Sequence, residues 1–224
     1  MRCDKGNREG LFLIKIRAVF EKRGRAKYIS HLDLNRCMQR TFKRSGIPVW
    51  YTEGFNPHIY INFALPLSLG YESGCEIMDF NITEEMPYEE LADKLNKAMP
   101  EGISITNVYT PSTKHTAIKY ADFKITFNGD VADRFNTFMS REKINTVKKT
   151  KRGEKEIDLK PDINVVSLEV AENATVLVLR LPAGNEKNLN PSLVTDLFVP
   201  ECGNTEILSV ERIAVLDENE NKFV

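Results

Sequence analysis

The chain has 224 residues, of which 42% are hydrophobic and 28% charged. These are ordinary proportions for a globular protein, with enough chain for one large domain or two small ones with cores of their own. A formal net charge of −1 argues against a protein that coats nucleic acid non-specifically, and no apolar run approaches membrane-spanning length.

Residues 1–11 are polar and read as a flexible tail. Ile14, Ile16, Ala18 and Phe20 alternate with Lys15, Arg17 and Val19, the pattern of a half-buried strand. Ser30 followed three residues later by Asp33 is a near relative of the capping box, so a helix is expected from His31, stopped by Gly46-Ile47-Pro48. Ile61, Phe63 and Leu65 mark a second strand, and Met78, Phe80 and Ile82 a third. Pro87 opens a helix with its apolar stripe at Leu91, Leu95 and Met99, and Ile103 to Tyr109 reads as a strand. The order βαββαβ over 12–110 predicts a ferredoxin-like domain.

Residues 111–118 read as a linker, after which the pattern restarts. Phe123, Ile125 and Phe127 alternate, a helix carries Val131, Phe135 and Phe138, and Val165–Val170 with Val176–Leu181 predict a hairpin. A short helix to Phe198 and a strand from Ile207 to Leu216 complete a second βαββαβ domain over 119–224, with an inserted hairpin at 144–161. The fold class expected is therefore α+β, two tandem ferredoxin-like domains. No residue-level repeat links the halves.

The charge is segregated along the chain. From Arg17 to Arg44 nine Lys or Arg face two acids, whereas from Tyr71 to Glu101 nine acids face two Lys. Such polarity suits an oriented encounter with a charged partner, although two solvated faces of opposite sign also explain it. Cys3, Cys37, Cys75 and Cys202 share no CxxC spacing, which removes a zinc ribbon and an iron–sulfur motif. No metal site and no cofactor are expected. The polar amino terminus lacks the pattern of a signal peptide, so the expected compartment is the cytoplasm.

Several runs carry a resemblance to a known family. They are Gly24-Arg25-Ala26, Tyr28-Ile29-Ser30-His31-Leu32-Asp33, Arg36, Gln39-Arg40, Arg44-Ser45-Gly46-Ile47-Pro48, Gly54-Phe55-Asn56-Pro57-His58 and Phe63 through Gly70, with a weaker match from Lys151 to Pro161. The chain resembles the bacterial radical-SAM-linked domain, found alone or fused behind a cobalamin-binding radical-SAM protein. The resemblance implies an accessory or substrate-presenting role toward such an enzyme, with tRNA or ribosomal RNA as substrate and the radical chemistry left to the partner. No DNA partner and no membrane are expected.

The residues offer an RNA-facing surface of their own. At about 100° per residue, Asp33, Arg36, Arg40, Lys43 and Arg44 fall within an arc of roughly 100°, a cationic ridge able to track phosphates; an ordinary solvated helix face is the plainer reading. Arg23, Arg25 and Lys27 extend this positive region to the helix amino terminus. Phe55, Asn56 and His58 sit on an aromatic-rich turn suited to stacking unpaired bases, with core filling as the alternative for its rings. Lys148, Lys149, Lys151 and Arg152 surround a hairpin tip at Gly153, where charge also guards a sheet edge.

Two further classes stay open. His31 with Tyr28 and Lys27 could act as a metal-independent ribonuclease site, because a histidine base can direct the ribose 2′-hydroxyl. The layout is similar to that of CRISPR repeat-RNA endonucleases, but their carboxy-terminal glycine-rich loop has no counterpart, only Pro182-Ala183-Gly184-Asn185. A protein–protein adaptor is the third class, with the acidic helix from Pro87 to Met99 as its contact.

Overall fold

The computed structural model describes residues 13–150, 153–203 and 205–223. The proposed tail at 1–11 lies outside the described residues. The protein is a mixed α+β structure with four α-helices and one large, mostly antiparallel sheet among those residues.

In chain order the first half supplies β1 (Ile14–Lys22), α1 (His31–Ser45), β2 (Ile61–Phe63), β3 (Glu72–Ile82), α2 (Tyr88–Ala98) and β4 (Ile103–Tyr109). The second supplies β5 (Tyr120–Asn128), α3 (Ala132–Met139), β6 (Asn145–Thr150), β7 (Gly153–Asp158), β8 (Asn164–Ala171), β9 (Ala174–Pro182), α4 (Ser192–Phe198) and β10 (Ile207–Leu216). The sheet runs β4-β1-β3-β10-β5-β9-β8, with β2 also on β3, while β6 and β7 form a separate two-stranded hairpin. All neighbours in the large sheet are antiparallel except β3 and β10.

That exception joins the two halves. β1 occupies one edge of β3. The other edge is shared by β2, opposite Met78 to Phe80, and by β10, opposite Glu72 and Ser73. Alternation buries Ile16, Ala18 and Phe20 of β1 with Met78, Phe80 and Ile82 of β3 beneath Leu34, Met38 and Phe42 of α1 and Leu91 and Leu95 of α2. A second cluster sets Phe123, Ile125 and Phe127 of β5 with Leu177, Leu179 and Leu181 of β9 under Phe135, Phe138 and Phe198. Phe198 packs edge-on against Phe127 and Phe135, with centroids 5.7 and 5.1 Å away.

Buried charge lies at the joint. Arg212 of β10 donates to Glu76 of β3 and to the carbonyls of Leu65 and Pro66. Lys22 is buried beside them, donating to the Ile29 carbonyl at 2.9 Å. Burial pushes its ammonium pKa down, against the pull of Glu76. Outside this core, Glu211 accepts from Arg23, the residue after β1, at 2.9 Å and from Lys124 of β5 at 2.8 Å, tying both to β10.

The second face of β1 differs from expectation. The alternation leaves Arg17 on an open face, yet its side chain is fully buried. The segment 111–118 lies over it: the Thr113 carbonyl accepts from Arg17 Nη2 at 2.9 Å, and the guanidinium sits 4.7 Å from the Phe223 ring. Strand periodicity reports burial of one face; it carries no signal for a distant segment folding across the other.

Candidate nucleic-acid interface

Helix α1 starts where a side chain can cap it. The Ser30 hydroxyl accepts from the Asp33 backbone N–H at 3.1 Å and donates to the Asp33 carboxylate at 2.8 Å. The Ser30 hydroxyl and then the Arg36 guanidinium hold the Asp33 carboxyl below its ordinary range. The helix ends at Gly46, whose left-handed backbone (φ 67°) is the geometry glycine tolerates best. Leu34, Met38, Thr41 and Phe42 face inward, which turns Arg36, Arg40, Lys43 and Arg44 toward solvent.

The aromatic turn is fastened to this helix. Gln39 donates to the Ile59 carbonyl at 2.7 Å and accepts from the Ile59 N–H at 3.2 Å. Leu32, Arg36, Gln39 and Lys43 share one ridge by their i, i+4, i+7, i+11 spacing. The turn therefore rests alongside the cationic row.

The turn is itself closed. Thr52 N–H donates to the His58 carbonyl at 2.8 Å, and His58 N–H donates to the Thr52 hydroxyl at 3.2 Å. His58 Nδ1 lies 3.1 Å from both the Thr52 hydroxyl and the Asn56 carbonyl. A carbonyl only accepts, so Nδ1 carries the proton and Nε2 is left as an acceptor. Gly54 holds φ 129°, which any residue with a Cβ adopts only with strain. At the tip Phe55 is fully exposed, and behind it the Trp50 and Tyr60 rings pack at 5.8 Å. Of the sequence alternatives for Phe55, core filling is excluded by this exposure.

The remaining cations are not equivalent. Arg25, Arg40 and Lys43 are exposed and make no ion pair or hydrogen bond among the described residues. Arg36 is paired with Asp33 at 3.2 Å on the surface. Lys27 stands 4.0 Å from Glu72 and 5.4 Å over the Tyr28 ring. Arg23 is held by Glu21 and Glu211, and Arg44 donates to the Ala98 carbonyl at 2.6 Å, which ties it to the end of α2. The charge segregation of the sequence is thus partly spent inside the molecule, since Arg17 and Lys22 are buried and Asp79 and Glu76 meet buried cations. The side chains of Lys148 and Lys149, and the whole of Lys151 and Arg152, lie outside the described residues.

His31, Tyr28 and Lys27 do not form a bonded site. The His31 ring lies edge-on to Phe63 at 5.3 Å and makes no hydrogen bond among the described residues. Tyr28 is exposed, with the Lys27 ammonium 5.4 Å from its ring centroid. His31 and His58 share no contact among the described residues. Cys75, beside the joint, donates to the Arg212 carbonyl at 3.4 Å, and burial pushes its thiol up to about 11, which leaves it unreactive.

A second constellation, on the opposite face of the sheet, was absent from the sequence reading. Asp79 of β3 accepts from Arg17 Nε at 2.8 Å and Nη2 at 2.9 Å. His115 Nε2 lies 2.7 Å from Asp79 Oδ2, while Nδ1 is 3.1 Å from the Asn62 amide nitrogen. Burial alone would raise the Asp79 pKa, but Arg17 and then His115 outweigh it and hold the carboxyl low. The Asn62 amide nitrogen only donates, so Nδ1 is the acceptor in that contact. The sequence signal was faint: Arg17 and Asp79 stand opposite each other in register, a pairing visible only once β1 and β3 are aligned. Among the described residues no cluster of His, Cys, Asp and Glu forms a metal site.

The geometry defines an α+β protein with a cationic helix and an attached aromatic turn on one side and a polar cleft on the other. The chain belongs to a family described as "Uncharacterized protein conserved in bacteria (DUF2344)", whose pattern it matches over residues 15–191. No curated protein matches its sequence. Among solved structures it is similar to an unknown protein from Galdieria sulphuraria, with 12% identity over 91% of this chain and 100% of that one and a TM-score of 0.27. It is also similar to a DypB variant in complex with manganese, with 9% identity over 88% and 90% of the two chains and a TM-score of 0.21. A DypB variant from Rhodococcus jostii RHA1 in complex with heme gives 10% identity over 88% and 90%, with a TM-score of 0.21. At these TM-scores the likenesses carry no argument about fold or chemistry. No helix among the described residues is long and apolar enough to cross a membrane.

Proposed function

We propose that this chain is a non-catalytic RNA-binding protein that presents RNA, tRNA or ribosomal RNA, to a radical-SAM-type modifying partner in the cytoplasm. One observation carries the RNA part: a fully exposed Phe55 on a closed turn that Gln39 fastens beside Arg36, Arg40 and Lys43. An exposed aromatic side chain costs solvation and finds compensation when a base stacks on it, while neighbouring cations hold the backbone. The partner comes from the resemblance of the α1 region to the radical-SAM-linked domain. The exposed acids Glu85, Glu89, Glu90 and Asp93 on and before α2 offer the partner a face separate from the RNA.

We read the fold as two tandem ferredoxin-like units over 12–110 and 119–224. Its support is the order β4-β1-β3-β2 in one half and β10-β5-β9-β8 in the other, each antiparallel throughout. The ribonuclease alternative finds little support, since His31 packs on Phe63 with no bonded partner among the described residues.

The test is a titration of purified protein with cellular RNA at several salt concentrations, each sample also run on a denaturing gel. Three or four phosphate contacts on a single strand give a log–log salt slope of about −2 to −3. The reading predicts such a slope, intact RNA, and loss of binding in the double variant Arg40→Glu with Lys43→Glu. Absence of binding at low salt overturns it, and discrete fragments abolished by His31→Ala replace it with the nuclease.

A further inference from the structure

On the face of the sheet away from the helices, β2, β3, β1 and the segment 111–116 enclose a cleft of about 600 Å3 open to solvent. That volume falls within the range of about 300–1,000 Å3 typical of small-ligand sites. Two sets of its polar groups bear on a ligand. Asp79, bonded to the buried Arg17 beneath it, and His115, bonded to Asn62, form a fixed floor. Lys15, Lys114 and the Asn81 amide line the same cleft and make no side-chain ion pair or hydrogen bond among the described residues. Asn62, having given its N–H to His115, keeps its carbonyl oxygen as an acceptor.

One wall is aromatic. Tyr60 lines the cleft, is 38% exposed, and is backed by Trp50 at 5.8 Å. Tyr60 and Asn62 follow directly on Ile59, the residue that Gln39 grips at the base of the Phe55 turn.

We infer that the cleft seats one nucleotide of single-stranded RNA, an inference that rests on the RNA-binding reading above. The base lies against Tyr60 and is held by the Asn62 carbonyl and the Asn81 amide, and the phosphate is held by Lys15 and Lys114. The chemistry of the site narrows the ligand class. A bare inorganic anion would want cations at the floor, where a carboxylate already sits, and an apolar ligand would leave two amides unpaired. A planar, hydrogen-bonding group with a single phosphate can engage Lys15, Lys114, Asn81 and the Asn62 carbonyl together. His115 acts as a positioning residue: it fixes the Asn62 amide so that its oxygen points to the ligand.

The molecule contains a single tryptophan, Trp50, so its fluorescence reports directly on the Tyr60 wall. The experiment titrates the full-length chain with each of the four nucleoside 5′-monophosphates and, in parallel, with a short single-stranded RNA. The expected result is saturable quenching by at least one monophosphate, weakened about tenfold by Lys114→Ala and by Asn81→Ala, each removing one contact. Both variants should keep the wild-type circular dichroism and melting temperature, because neither side chain is bonded within the described fold. His115→Ala should weaken binding, and His115→Asn should not restore it. Failure of all four monophosphates to quench at millimolar concentration overturns the inference, as does quenching indifferent to Lys114→Ala and Asn81→Ala. If the oligonucleotide still binds through Arg40 and Lys43 in that case, the RNA-binding reading stands and the cleft assignment alone fails. Monophosphate binding with no binding of the oligonucleotide overturns the assignment to a strand and with it the RNA-binding reading.

Discussion

Glu76 and Arg212 stand 136 positions apart in sequence and meet as an ion pair with side chains only 3% and 4% exposed. The pair bridges β3 and β10, the only parallel neighbours in the large sheet among the described residues, whose ladder spans just Glu72↔Glu211 and Ser73↔Arg212. So few backbone bonds specify the register weakly, and the fork of Arg212 across Glu76 and two carbonyls supplies the rest.

Removing one partner leaves an uncompensated buried charge. Glu76→Ala should therefore lower stability by about 3–5 kcal/mol, read from urea unfolding. The double replacement Glu76→Leu with Arg212→Met should be far milder than the two single losses added together. Additive losses would mean that the pair does not act as a unit.

Acid should loosen the packing of 111–118 over the sheet. Asp79 has its carboxyl pKa depressed by Arg17 and His115 despite burial. A depressed carboxylate stabilises the fold above the unfolded value of about 3.9, and that contribution is lost as pH falls through the folded value. Stability should thus drop below about pH 4, and Asp79→Asn, which leaves Arg17 without its counter-charge, should flatten that part of the profile while lowering stability at neutral pH. A profile in the variant as steep as in the wild type would count against this role.

Gly184 and Gly129 both hold positive φ, at 126° and 80°, yet should respond differently to alanine. A Cβ at Gly184 would sit 2.4 Å from the Ile118 carbonyl oxygen, whereas nothing lies within 4 Å of one at Gly129. Gly129→Ala carries only the backbone penalty of about 1 kcal/mol, and Gly184→Ala should cost clearly more, about 3 kcal/mol, because backbone must move. Thermal melts of the two variants side by side decide the point.

Phe55→Ala separates binding from folding. The ring touches solvent rather than core, so the melting temperature should stay within about 1 °C of wild type. Affinity for single-stranded RNA should fall about tenfold or more if a base stacks there. Gln39→Ala should weaken RNA binding too, by freeing the turn, but at some cost in stability because it leaves the Ile59 backbone unpaired. Unchanged affinity in both variants would remove the turn from the interface.

Much of the architecture was legible because it follows from short-range pattern. The cap at Ser30, the stop at Gly46 and the inward stripe at Leu34, Met38 and Phe42 define α1 from the sequence alone, and the strand from Ile207 to Leu216 coincides with its alternation. What stayed hidden depends on contacts between residues far apart. Arg17 read as a solvent-facing residue because Thr113 and Phe223, which cover it, belong to distant segments. His115 read as part of a linker because its partners Asp79 and Asn62 lie on two other strands. The cationic ridge was visible, yet the withdrawal of Arg44 to the Ala98 carbonyl and of Arg23 to Glu211 was not, since a helical wheel holds no information about neighbouring elements.

The joint between β3 and β10 also bears on how the chain is made. Arg23 and Glu211 are 188 residues apart, and the first sheet half gains its Glu211, Arg212 and Phe223 contacts only when those residues have been synthesised. Until then the nascent amino-terminal half holds Arg17 without the Phe223 ring, Glu76 without Arg212, and one stretch of β3 with an open edge. Long-range closure of this kind slows folding and leaves strand edges exposed during translation. Fragments that stop before residue 207 should therefore aggregate more readily than the full chain.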